Sequence, residues 1–131
     1  MFGSGIARRR RQSVVAEMVT TATRTGDFTT PWQATPQIWE HYRNEADILR
    51  DLQQDWRTAL AGAVYVAIEA GEGDLHHDVM KAYSTMSQRH LGIRRILEAN
   101  AEHPAIAAAM RKECSLLSSF TGTLTAVPTA A

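Results

Sequence analysis

Residues 37–70 contain no proline and carry apolar side chains at helical spacing, and this stretch limits the fold more than any other feature. Advancing about 100° per residue, Ile38, Tyr42, Leu49, Trp56, Leu60, Ala63 and Ala67 share one stripe, while Arg43, Asp47, Arg50, Asp51 and Arg57 turn away. Thr35 followed by Pro36 is a start signal: a hydroxyl able to cap, then a residue whose missing N–H costs nothing at the first helical position. One long helix over residues 36–70 is expected. Over residues 60–68 the chain becomes apolar nearly all round, with Gly62 as a point of bending. Such a stretch has to be buried on several sides or form a subunit contact.

The rest of the chain reads as helix too. Residues 7–24 place Val14, Val15, Met18 and Ala22 on one side before Gly26 stops the helix, although the threonines there are poor helix formers. In the segment that follows, Pro31 breaks helix, and Phe28 and Trp32 are expected to tuck their rings against the bundle as an ordered hook. Residues 70–74 form a turn, with Gly71 able to take the left-handed cap conformation and Asp74 placed to cap the next helix. A turn this short makes its helices antiparallel neighbours. A third helix over residues 75–99 buries Leu75, Val79, Ala82, Met86, Ile93 and Leu97, with Tyr83 at the margin. After a break at residues 100–104, a fourth helix aligns Ile106, Met110, Leu117 and Phe120. No sustained alternation of apolar and polar residues argues for a sheet. The expected fold is all-α: a small antiparallel bundle of about four helices with one long central helix. It forms a single domain over residues 1–131, with flexible ends at 1–7 and 122–131.

Composition narrows the function classes. The chain has 131 residues, enough to bury a core without disulfides or a structural metal. Fourteen basic residues balance 14 acidic ones, so no global field draws the protein to nucleic acid or an anionic membrane. Cys114 is the single cysteine, which excludes an intrachain disulfide and a multi-cysteine zinc site and fits a reducing compartment. Arg8, Arg9, Arg10 and Arg11 precede Val14 and Val15 as a leader's charged region precedes its apolar one, but Glu17, Thr20, Thr21 and Thr23 interrupt the apolar run. Neither an export signal nor a transmembrane helix is read, and a bacterial cytoplasmic setting is the expectation.

Polar residues inside apolar stripes are the candidates for chemistry. Glu113 falls between Ile106, Leu117 and Phe120; His90 between Met86, Ile93 and Leu97; Glu45 beside Ile38 and Leu49. An unpaired buried carboxylate is costly, so each needs a partner. If the helices meet at similar height, Glu45, His90 and Glu113 converge as metal ligands, with Arg89 or Arg94 as compensating charge. The competing and stronger reading is a buried salt-bridge network that fixes helix register. Glu-x-x-His pairs of the di-iron kind are absent, and His41 with Glu45 makes a single weak pair one turn apart.

His76, His77 and Asp78 read as exposed first-turn residues beside a cap, because neighbouring helix positions point about 100° apart and chelate one ion poorly. His103, before Pro104, reads similarly as a helix-opening residue. Cys114 reads as a small buried hydrophobe at the margin of the fourth helix, and Ser115, Ser118 and Ser119 as that helix's polar back. Phosphate-binding loops are missing, since Gly3-Ser-Gly5 and Gly71-Glu-Gly73 are too short and lack the lysine. The Arg8 to Arg11 run can hold phosphates, yet four consecutive residues spread around the whole helix, and nucleic-acid binding ranks last. Lys81, Arg89, Arg94 and Arg95 scatter around the third helix instead of forming a recognition stripe.

Trp39, Tyr65 and Val66 point away from the main stripe of the second helix, and Met80 and Leu91 lie on the outer side of the third. Exposed large apolar residues mark partner surfaces. The leading expectation is therefore a non-enzymatic bundle that binds protein, as a homodimer through the second helix, without a cofactor and without a membrane. The alternatives are a metal- or small-ligand-binding bundle built on the buried Glu/His residues, and a nucleic-acid-associated protein using its arginine run.

Overall fold

The computed structural model describes residues 2–71 and 73–121. The side chain of Phe120 and the end read as flexible at 122–131 lie outside what is described. Among the described residues the fold is all-helical, with α1 over Phe2–Thr25, α2 over Glu45–Ala70, α3 over Leu75–Arg89, α4 over Leu91–Ala99 and α5 over Ala107–Thr121. α1 thus takes in residues 2–6, ahead of the start that the sequence pattern marks. Gly26 ends it as anticipated: it sits at φ +80 and its N–H donates to the Ala22 carbonyl at 2.8 Å. That left-handed backbone suits glycine and strains any residue with a Cβ.

The long second helix begins later than expected. Thr35 opens only a short 3-10 helix, Pro36–Glu40, which follows a first one at Pro31–Ala34. Its hydroxyl makes no capping bond and is buried without a hydrogen-bond partner. The working cap is Asn44, whose side chain accepts from the Asp47 N–H at 3.0 Å, and Glu45 and Asp47 put negative charge at the positive helix end. The tighter 3-10 winding carries Ile38 and Trp32 into the core while Trp39 faces outward. The hook therefore exists as read, with Phe28 half-buried beneath the Arg95 guanidinium at 5.6 Å.

Asp74 caps α3 through the His77 N–H at 3.0 Å, as the sequence implied. The left-handed glycine of the preceding turn is Gly73 (φ +109), whereas Gly71 is extended (φ −71) and packs so tightly on Asp78 that a Cβ there would overlap its carboxylate. The predicted third helix is two helices. His90 leaves helical geometry (φ −118, ψ 42), and α4 swings away toward α1. Gly92 makes the approach possible, since a Cβ there would overlap Val19 Cγ1 of α1.

Antiparallel α2 and α3 form the centre: Gly71 lies against Asp78 at one end, and farther along Trp56 meets Tyr83 edge-on with ring centroids 6.2 Å apart. On one side α1 packs on the hook and α4; on the other, α5 packs on α3. Met18, Ala22, Trp32, Ile38, Ile48, Leu49, Leu52, Trp56, Leu60, Met86, Ile96, Leu97 and Ile106 make one apolar core. Leu60 is the last fully buried residue of α2, with Ala63 and Val64 still partly buried against the core beyond it. Leu75, expected inside, is 44% exposed because it opens α3 beyond the reach of the core.

Candidate functional site

At the heart of the bundle one charged node joins four helices. Arg94 of α4 donates from Nη1 to Glu113 Oε2 of α5 at 2.7 Å and from Nε to Glu98 Oε2 at 3.0 Å. Trp56 of α2 donates from Nε1 to Glu113 Oε1 at 2.7 Å. The guanidinium also lies over two rings, 5.1 Å from the Trp56 centroid and 5.5 Å from that of Tyr83 of α3. Side chains of Arg94 and Glu113 are each only 11% exposed. Burial, the largest single effect, disfavours the Arg94 cation, but Glu113, Tyr83 and Glu98 together outweigh it and hold its pKa above the ordinary arginine value. Burial is also the main reason the Tyr83 hydroxyl is pushed up. Both Glu113 oxygens are engaged, so the node clamps α2, α4 and α5 together through a buried ion pair and an indole hydrogen bond.

The three residues expected to converge on a metal do not meet. Glu113 belongs to the node; Glu45, half-exposed in the first turn of α2, pairs with His103 Nε2 at 3.4 Å; His90 sits at the elbow between α3 and α4. Among the described residues no group of three or more His, Cys, Asp or Glu side chains is placed to hold a metal ion. Relative helix height decides the matter, since Arg94, not His90, lies level with Glu113.

A second polar region lies on the α1 side. Arg8 and Arg11 of α1, Tyr42, Asp51 and Asp55, and Arg89 and His90 of the elbow line a cleft of about 380 Å³ walled by Val15, Val19, Leu91 and Ile93. The Tyr42 hydroxyl donates to Asp51 Oδ2, and Arg11 Nε stands 3.8 Å from the same oxygen. Burial, then the Asp51 hydrogen bond, drives the Tyr42 hydroxyl well above the usual tyrosine range. Asp55 is shifted upward, first by burial and then by the Asp51 charge, with Arg11 and Arg8 opposing. The arginine run thus divides: Arg8 and Arg11, one helical turn apart, border the cleft, while Arg9 and Arg10 are exposed.

The third feature is an open groove of about 650 Å³ between α2 and α3, floored by Ala59, Gly62, Ala63, Ala67 and Ala82 and bordered by Val66, Met86, Asp78, Lys81 and Arg89. Along the same part of α2, Tyr65 is 66%, Val66 63% and Ile68 41% exposed. Trp39, Met80 and Leu91 are exposed as anticipated, but they do not extend this groove: Leu91 walls the charged cleft and Trp39 borders a depression beside residues 40–43.

Smaller expectations fall both ways. His76 and His77 are exposed in the first turn of α3, and His103 Nδ1 accepts from the Ala105 N–H at 3.0 Å in the turn before α5. Cys114 is exposed, not the expected buried hydrophobe, because the node turns Glu113 inward and so turns its neighbour out. Ser118 is buried while Ser115 and Ser119 face solvent. No helix of the described residues is long and apolar enough to cross a membrane.

Among the described residues, fold and surface together define an all-helical protein with a buried charged clamp, an apolar groove and a charged cleft. Compared with protein families, curated proteins and solved structures, the chain has no match in any of the three.

Proposed function

We propose that this protein is a protein-binding helical bundle that pairs with a second copy of itself through the distal part of α2. One observation carries the reading: residues 60–68 are apolar nearly all round, yet beyond Leu60 the described residues partly bury Ala63 and Val64 and leave Tyr65, Val66 and Ile68 exposed. Among the described residues nothing buries these three side chains, and a bare apolar stretch of this kind favours a subunit contact. The surface also suits itself. Large side chains at Tyr65, Val66 and Ile68 adjoin a floor of alanines and Gly62, so a two-fold axis across α2 seats the large residues of each copy on the small ones of the other.

The energetics suit a reversible pair. At about 1.5 kcal/mol per covered side chain, three residues from each copy contribute about 9 kcal/mol. Against an association cost of about 4 to 15 kcal/mol, these side chains allow dissociation no tighter than roughly 0.2 mM, a weak and reversible pair. Cross-linking tests the geometry: chains carrying Val66→Cys mixed with chains carrying Gly62→Cys, both in a Cys114→Ser background, should form a disulfide-linked heterodimer under mild oxidation, whereas Arg57→Cys, on the polar face of α2, in place of Val66→Cys should not. Equal cross-linking at both positions would mean that collision, not a defined interface, joins the chains.

A further inference from the structure

We infer that the cleft between α1 and the α3–α4 elbow binds a phosphomonoester, its dianionic phosphate held by Arg8, Arg89 and His90 and its organic group laid on Val15 and Leu91. The inference does not rest on the pairing of two copies.

Segments far apart in sequence bring three guanidinium groups and an imidazole to one concavity. The convergence of guanidinium charge favours an anion there. Internal carboxylates supply only part of it. Asp51 is taken by Arg11 and the Tyr42 hydroxyl. Asp55 is close enough to feel Arg8 and Arg11 but forms no ion pair with either. Arg8, Arg89 and the His90 ring have no ion pair or side-chain hydrogen bond among the described residues. Three guanidinium groups against two carboxylates leave a positive surplus, which favours a dianion over a neutral or cationic ligand.

Guanidinium forks match phosphate oxygens in pairs, and a volume of about 380 Å³ suits a small molecule. The wall of Val15 and Leu91 gives the remainder of such a ligand an apolar seat, so a bare phosphate should bind less well than an ester.

Titration calorimetry of the full chain with phenyl phosphate, inorganic phosphate and a single-stranded oligonucleotide tests this. Phenyl phosphate is expected to bind one per chain and several-fold more tightly than inorganic phosphate. Arg8→Gln and Arg89→Gln should each weaken it about tenfold or more, while Asp55→Asn should tighten it about threefold by removing the opposing charge. Both arginines are exposed, and an unchanged circular dichroism spectrum verifies that the variants fold. Absence of saturation by about 10 mM phenyl phosphate, wild-type affinity in both arginine variants, equal affinity for inorganic phosphate, or retention of the oligonucleotide without phenyl phosphate binding would each overturn the assignment.

Discussion

Replacing Glu113 by glutamine tests the clamp while conserving its shape. The amide oxygen of the Glu113→Gln side chain can still accept from the Trp56 indole N–H, so the change removes chiefly the charge that faces Arg94 across 2.7 Å. Breaking a fully buried pair costs about 3–5 kcal/mol. Here Arg94 keeps the more exposed Glu98 at 3.0 Å and the faces of Trp56 and Tyr83, which lowers the expected loss to about 2 kcal/mol. Glu113→Leu also orphans the indole N–H and should cost about 1 kcal/mol more. The pair Arg94→Met with Glu113→Leu removes both charges together, so it should be less damaging than the two single changes summed, with a coupling of about 2 kcal/mol. Urea unfolding followed in parallel by tryptophan fluorescence and circular dichroism reads each corner of the cycle. A glutamine variant within about 0.5 kcal/mol of wild type, or strict additivity, would refute the clamp.

Other expectations follow from single contacts. Gly92→Ala, which in an open helix would stabilise by up to about 1 kcal/mol, should destabilise because of Val19, and Val19→Ala in the same chain should restore the loss. Asp55 has its pKa raised in the folded state, so its contribution favours folding below the unfolded pKa and is lost as pH rises through the folded one. Asp55→Asn should accordingly raise the melting temperature at pH 7, by the small amount typical of a solvated charge, and leave it unchanged near pH 3. Cys114 should react with a thiol reagent at its full equivalent in native buffer, and a thiol silent until denaturant is added would contradict its exposure.

What was legible in the sequence was periodicity, because the core selects it. Leu49, Trp56 and Leu60 on one stripe follow from 100° steps alone, and all three are buried. Boundaries were harder. Thr35–Pro36 is a good start signal, yet the burial of Ile38 and Trp32 in the 3-10 segments moves the start of the long helix to Asn44. The elbow at His90 was hidden because Met86, Ile93 and Leu97 keep the same phase through the break; Gly92 was its one local sign.

The need for a partner at Glu113 could be read from the stripe, but its identity depends on helix height, which spacing does not encode. Trp56 was missed as that partner although an indole N–H in an apolar stripe raises the same demand. The clustering of Arg8, Arg11, Arg89 and His90 also lay beyond spacing, since it comes from the swing of α4 toward α1.

The pairing of two copies is most directly tested by solution mass across concentration. Sedimentation equilibrium from about 5 to 500 μM should show wild-type mass rising from that of one 14.5 kDa chain toward twice that value, while Val66→Lys stays at one chain throughout. A wild-type mass of one chain at every concentration, or a lysine variant that associates equally well, would contradict the proposed interface.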